Sequence, residues 1–420
     1  MNLTSQALRG FRDSRLYDYF TSSSLYRLGV LHGDRIIGRI SRRFSACPEG
    51  SQTGHILVAP TGGGNIGDQA LVEAFLQTVD GKVTILLSSA DAISIPAEHQ
   101  NRVIVKSGRA FIYLPPLVRI PAVWRMTKLI KAATSVSVLG ADLMDGLYNA
   151  GATVARVSTL CLARELGKPS VLVGCSWSGS ARKTAVLALR LAADLGAVVN
   201  ARDPVSAERM NRDGISNVQQ TADIVFALTG THVNNDVRLA IERGRVLGRR
   251  IAVVNMSGLI GRRFDQLPEY RQIVSALTRQ NYFVVLLPHV FRSTGDDLSE
   301  CERLTDQLGL ETIYLVAQQL TPREVKWLVG ESDLVVTGRM HLAVMSLSSR
   351  RPVITLGSHG KVEGLYAYFP WMPGFVEPTP GFGTEVVAAI EAVLGRQGDW
   401  DQALTDVKLL AERNVLSLKP

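Results

Sequence analysis

From His55 onward, short apolar runs alternate with longer stretches whose apolar residues recur at helical spacing. The runs at 56–59, 83–87, 103–105, 135–139, 170–173, 198–201 and 218–221 read as strands. Between them, 68–79, 121–133, 148–166 and 205–211 read as helices, with Pro121 suited to a first helical position, where its missing N–H costs nothing. A second series begins after Asn234, with strands at 250–256, 283–287, 312–316, 334–337 and 352–356. Alternation of this kind predicts parallel sheets covered on both faces, here two doubly wound, Rossmann-like α/β domains in tandem. Such domains present the C-terminal ends of their strands to a shared crevice, where ligands of this architecture bind. The expected division is 1–50, 51–232 and 233–420.

A chain of 420 residues fits two hydrophobic cores better than one. No window approaches the ~18 consecutive apolar residues of a membrane-spanning helix. Residues 1–20 are punctuated by Arg9, Arg12, Asp13, Arg15 and Asp18, unlike a secretory signal, so a cytoplasmic location is expected. Cys47, Cys161, Cys175 and Cys301 form no C-x-x-C pair, and are expected to be reduced, mostly buried thiols.

The net charge of +8 is unevenly placed: residues 1–45 hold eight arginines against three aspartates. In this basic appendage Leu25, Leu28, Leu31, Ile36, Ile37 and Ile40 alternate with arginines at roughly helical spacing. Two readings stand: peripheral contact with the anionic inner face of a membrane, or a helix packed on the body of the protein or on a partner subunit. A nucleic-acid partner is not expected, because the basic segment has little aromatic interleaving. A homo-oligomer is compatible with the sequence.

Candidate chemistry begins at Gly62-Gly63-Gly64-Asn65-Ile66-Gly67-Asp68, between the first strand and the first long helix. Glycines there allow a tight turn and a close backbone approach to an anion or polar sugar at a helix N-terminus. The spacing meets the dinucleotide fingerprint, but Ser88 and Ser89 stand where an acidic residue should hold a ribose, and no G-K-S/T follows. Asp68 reads either as a helix cap or as a group that orients or deprotonates a sugar hydroxyl.

A second junction, Gly338-Arg339-Met340-His341, pairs the fixed donor fork of an arginine with an imidazole that exchanges protons near neutral pH. Further candidates at strand ends are Arg202, His289, Asp142 and Lys361, the last offering positive charge for a donor phosphate. No spacing suggests a complete metal site, and metal independence is expected.

Taken together, Gly63-Gly64-Asn65-Ile66-Gly67-Asp68, Leu139-Gly140-Ala141-Asp142, Gly167-Lys168-Pro169, Arg202-Asp203, Leu287-Pro288-His289 and Arg339-Met340-His341 resemble the polysaccharide pyruvyl transferase family, from about His55 to Leu365. Cys175-Ser176-Trp177-Ser178-Gly179 departs from the family's commoner Gln-x-Ile-Gly-Pro segment, and Gly140-Ala141-Asp142 from its fuller glycine run. The resemblance implies a GT-B-like fold. It also implies transfer of pyruvate from phosphoenolpyruvate, a substrate rather than a cofactor, onto sugar hydroxyls of a polysaccharide or lipid-linked glycan precursor as a ketal. On this reading 51–232 is the acceptor side and 233–420 the donor side. His341 and Asp68 are catalytic, and Arg339, Arg202, Lys361, Gly338 and Met340 bind donor. Gly63, Gly64, Asn65, Gly67, Asp142 and His289 line the acceptor side of the cleft. A GT-B glycosyltransferase using a nucleotide sugar is the alternative, since fold does not fix the donor.

Overall fold

The computed structural model of the chain describes residues 24–44, 54–60, 63–89, 92–114, 116–292, 296–309, 311–357, 362–395 and 398–418. Lys361, Cys47 and the segments 1–23 and 45–53 lie outside them. Seven parallel strands form the first sheet: β1 (His55–Val58), β2 (Val83–Leu87), β3 (Val103–Ser107), β4 (Ser135–Ala141), β5 (Ser170–Cys175), β6 (Val198–Ala201) and β7 (Val218–Gln220). Their order is β3-β2-β1-β4-β5-β6-β7. The second sheet comprises β8 (Arg250–Asn255), β9 (Tyr282–Leu286), β10 (Ile313–Leu315), β11 (Leu334–Thr337), β12 (Val353–Leu356) and β13 (Phe375–Val376), in the order β10-β9-β8-β11-β12-β13. All its pairings are parallel as well.

Central strands are buried on both faces, which is why they read as unbroken apolar runs: every residue of β2, β4, β5, β9, β11 and β12 is buried. Each sheet reverses its winding once, between β1 and β4 and between β8 and β11. At such a switch point the flanking loops diverge and leave a crevice beyond the strand ends. Both Rossmann-like halves therefore offer a crevice, and the two meet.

One expectation is corrected. Pro121 lies inside the helix Pro116–Ala132, and Pro116 takes the terminal place. The end of the chain returns to the first sheet. Asn414, fully buried, accepts through Oδ1 from Gly174 N (2.8 Å) and Thr221 Oγ1 (3.1 Å) and donates through Nδ2 to Ala222 O (2.8 Å). It thereby ties the 3-10 turn Arg413–Leu418 to the ends of β5 and β7.

Within the basic appendage, Ser24–Phe44 is one helix packed against the helices Pro116–Ala132 and Ala150–Glu165. Leu31, Asp34 and Ser41 are buried in that seam. Asp34 Oδ2 accepts from Arg119 Nη2 and from Ser158 Oγ, both at 2.7 Å, the pairing that a buried charge requires. Gly38 allows the approach, since a Cβ there would collide with Leu162. Cys161, Cys175 and Cys301 are buried free thiols.

Candidate functional site

The loops at the two switch points, with those after β5, β6, β9 and β12, enclose a cleft of about 570 Å³. From the first half come Asn65 and Asp68, Asp142 and Arg202; from the second come His289 and the run Gly338 to His341. Asn65 caps the helix Ile66–Thr78, its Oδ1 accepting from Gly67 N (2.9 Å). Asp68 is thus not the cap: it stands in the first turn, facing the cleft. Across from it, Arg339 is the residue before the helix Met340–Ser348 and His341 is in its first turn. Gly338 is forced by space, because a Cβ would run into Ser257 and Ile260.

Arg339 is held from behind. Its Nε donates to Asp297 Oδ2 (3.1 Å) and its Nη2 to Oδ1. Asp297, fully buried, opens the helix Asp297–Leu308 and also accepts from Gly258 N (2.9 Å), Asn255 Nδ2 (2.9 Å), His289 N (3.1 Å) and Val290 N (3.2 Å). This donor set stabilises a carboxylate in the interior, and the carboxylate fixes the plane of the guanidinium.

Arg202 comes from the end of β6 and is buried. Its Nε donates to Ser176 Oγ (2.7 Å) and its Nη1 to Asp223 Oδ2 (3.0 Å). It does not pair with Asp203, which caps the helix Pro204–Arg212 through Ser206 N (2.6 Å). His341 Nε2 lies 3.6 Å from the same oxygen of Asp223, so one buried carboxylate faces a cation of the first half and an imidazole of the second. Asp223 also accepts from Val225 N at the 3-10 turn Ile224–Ala227 (3.0 Å), which fixes its direction. The ring of His341 packs on Gly67, where any Cβ would collide with it.

Burial pushes the Asp68 carboxyl up from its ordinary range, with Asp142 adding to this and His341 and Arg292 opposing it. Arg292 Nη2 lies 3.4 Å from Asp68 Oδ2. Asp142 accepts from Tyr148 O–H (2.9 Å) at the cleft wall. His289 is 1% exposed, and burial, with Arg339 and His341 nearby, drives its pKa well below the usual imidazole value. Neither of its ring nitrogens meets a partner among the described residues.

The glycine loop is used differently from an anion cradle. Gly63 N donates to Ala92 O (2.8 Å), Ile66 N to His289 O (3.1 Å) and Gly67 N to Asn65, so these donors are engaged within the protein. Asn65 bridges antiparallel to Val290, and Phe291 N donates to Gly64 O (2.6 Å). Gly64, at φ +65°, admits Phe291 O where a Cβ would stand. The loop therefore zips the two halves together. Gly63 and Gly64 do not line the main cleft, and Gly64 faces a separate cavity of about 710 Å³ with Gln69, Glu73, His232 and Arg323. Asp223 and Asp297 are not site candidates in the sequence reading; Asp297 follows β9, whose end meets the cleft, and Asp223 follows β7.

The segment 175–179 has a structural reason for its composition. Ser176 positions Arg202, while Trp177 is fully buried with its indole N–H donating to Asp213 Oδ2 (2.6 Å). Beyond it Ser178 and Ser180 line the cleft.

Two Rossmann-like halves closing on a cleft of this make-up define a GT-B-like enzyme scaffold. The chain belongs to the polysaccharide pyruvyl transferase family, whose model matches residues 65–360. No curated protein matches the chain in sequence. Among solved structures, the chain is similar to a UDP-GlcNAc 2-epimerase from Methanocaldococcus jannaschii, at 14% identity and a TM-score of 0.56, over 86% of this chain and 98% of that one. It is likewise similar to a putative UDP-N-acetylglucosamine 2-epimerase from Listeria monocytogenes, at 13% identity and a TM-score of 0.54, over 87% and 95%. A trehalose-6-phosphate synthase matches at 11% identity and a TM-score of 0.53, over 87% and 98%. At these identities the likeness establishes the fold alone.

Proposed function

We propose that the protein transfers the pyruvyl group of phosphoenolpyruvate to hydroxyls of a glycan acceptor, forming a ketal. The observation that carries this reading is the convergence of Arg339 and His341 from one half and Arg202 and Asp68 from the other in a single cleft, within a member of this family. Arg339, its fork fixed by Asp297, binds the donor's phosphate and carboxylate, and Arg202 adds positive charge from the opposite half. Lys361 is assigned to the same donor on sequence grounds.

His341 gives a proton to the methylene carbon of the enol, and positive charge develops at the carbon bearing phosphate. An acceptor hydroxyl adds to that carbon as its proton passes to Asp68, whose raised pKa makes it a better base than an exposed carboxylate. Phosphate then leaves with the C–O bonding pair, and a second hydroxyl closes the ketal and releases its proton. Asp142 and the neutral His289 hold the acceptor by hydrogen bonds. No cofactor enters this scheme.

Release of inorganic phosphate from phosphoenolpyruvate, followed with and without glycan extracts, tests it. Acceptor-dependent release that His341→Ala abolishes is the expected result. Transfer from a nucleotide sugar instead would replace the reading with glycosyl transfer.

A further inference from the structure

The net charge of the chain is gathered on one composite surface. The helices Ser24–Phe44 and Pro116–Ala132, far apart in sequence, lie side by side, joined by the Asp34–Arg119 ion pair and by Lys131 Nζ donating to Arg42 O (2.7 Å). Together they carry nine basic residues, five on the first and four on the second, and a single acid, Asp34. Their net +8 equals the formal charge of the whole chain, so the remaining residues balance to zero. Asp34 is turned inward and neutralised by Arg119, which leaves the exposed charges of both helices uniformly positive. Among the described residues Glu165 meets Arg35 and Arg39 at 2.7 and 2.8 Å and offsets part of that charge.

Apolar side chains stand among these charges. Ile36 is 57% exposed and Ile40 47%, one turn apart and beside Arg39 and Arg43 on the outer face of the first helix. Val118 and Ile120 are exposed on the second helix, which also presents Arg125 and Lys128, and Tyr113 and Leu114 continue the patch just before it. A packed helix that exposes isoleucines between arginines has the make-up of an element that sinks its apolar side chains to the headgroup boundary while its cations meet anionic lipid.

We propose that this two-helix face docks the protein on an anionic lipid bilayer. Charge complementarity selects that occupant: a second copy would bring +8 against +8, whereas each Lys or Arg gains at a negative surface. The surface does not depend on the donor chemistry.

Flotation of the full-length protein on phosphatidylcholine vesicles, with and without about one-third phosphatidylglycerol, tests this. Partition onto the anionic vesicles is expected, weakening as salt rises. The combined variant Arg39→Glu, Arg43→Glu, Arg125→Glu and Lys128→Glu should lower it at least ~10-fold, and Ile36→Ser with Ile40→Ser should lower it with charge intact. Unchanged flotation of both variants would overturn the proposal and assign any binding to residues 1–23, whereas dimerisation without flotation would assign the face to a second copy. Thermal unfolding of each variant with phosphoenolpyruvate checks that donor binding persists, so failure of the surface and failure of the donor reading give separate results.

Discussion

His341 Nε2 lies 3.6 Å from Asp223 Oδ2, an oxygen that also accepts from Arg202 Nη1 at 3.0 Å. The carboxylate thus links a residue of one half to the proposed acid of the other. Asp223→Asn keeps an oxygen acceptor for Arg202 but removes the negative charge beside the His341 ring. We expect kcat to fall by about 10²-fold, within the range for general acid catalysis, with the KM for donor changed far less. Asp223→Ala should instead unfold the protein more readily, by about 3–5 kcal/mol, because Arg202 is left buried without its partner.

Arg339 and Asp297 act as one unit. Arg339→Lys retains a charge but not the fork, so donor KM should rise and kcat fall together. Asp297→Asn leaves the guanidinium without its counter-charge, so it should reproduce the rise in KM and also lower Tm. Steady-state kinetics with calorimetry separates the two variants: a normal Tm and a normal KM in Asp297→Asn would count against the link.

Gly67→Ala probes the contact between halves without removing a polar group. A methyl there meets the ring of His341, while the helix Ile66–Thr78 tolerates alanine well. Turnover should drop at least ~10-fold with Tm nearly unchanged, since a displacement of about an ångström at a reacting group is costly. Equal turnover in Gly67→Ala and wild type would show that the ring works from another position.

Much of this was legible in the sequence, for identifiable reasons. Strands such as β2 and β11 stand out at their full extent because parallel strands covered on both faces leave largely apolar runs. The edge strand β13 is two residues long and carries no such signal. Arg339 and His341 were visible because a strand end, a glycine and a helix start surround them. Asp223 and Asp297 are ordinary aspartates until folding brings Arg202, Arg339 and His341 to them, although the rule that picked out Arg202 after β6 applies equally to Asp223 after β7. Gly64 was conspicuous for a reason the sequence could not supply, its partner Phe291 lying in the other half.

His289 makes stability depend on pH. Its pKa in the folded protein is held well below the ordinary 6.5, so below pH 6.5 the unfolded chain binds a proton that the folded protein resists. Stability is therefore retained above that value and lost as pH falls through it towards the folded pKa, by at most about 1.4 kcal/mol per pH unit for this group. Burial lowers His55 and His99 in the same direction. His289→Gln should flatten the fall of Tm between about pH 7.5 and 5.5 without abolishing it; an unchanged slope would mean that His289 is not held neutral.

The donor is tested most directly by thermal unfolding of the wild type and Arg339→Ala with phosphoenolpyruvate and, separately, with a set of nucleotide sugars, since a ligand that binds only the folded state raises Tm. Phosphoenolpyruvate should raise the Tm of the wild type and not that of the variant, with nucleotide sugars leaving both unchanged. A shift produced by a nucleotide sugar alone, or one by phosphoenolpyruvate that survives intact in Arg339→Ala, would contradict the account.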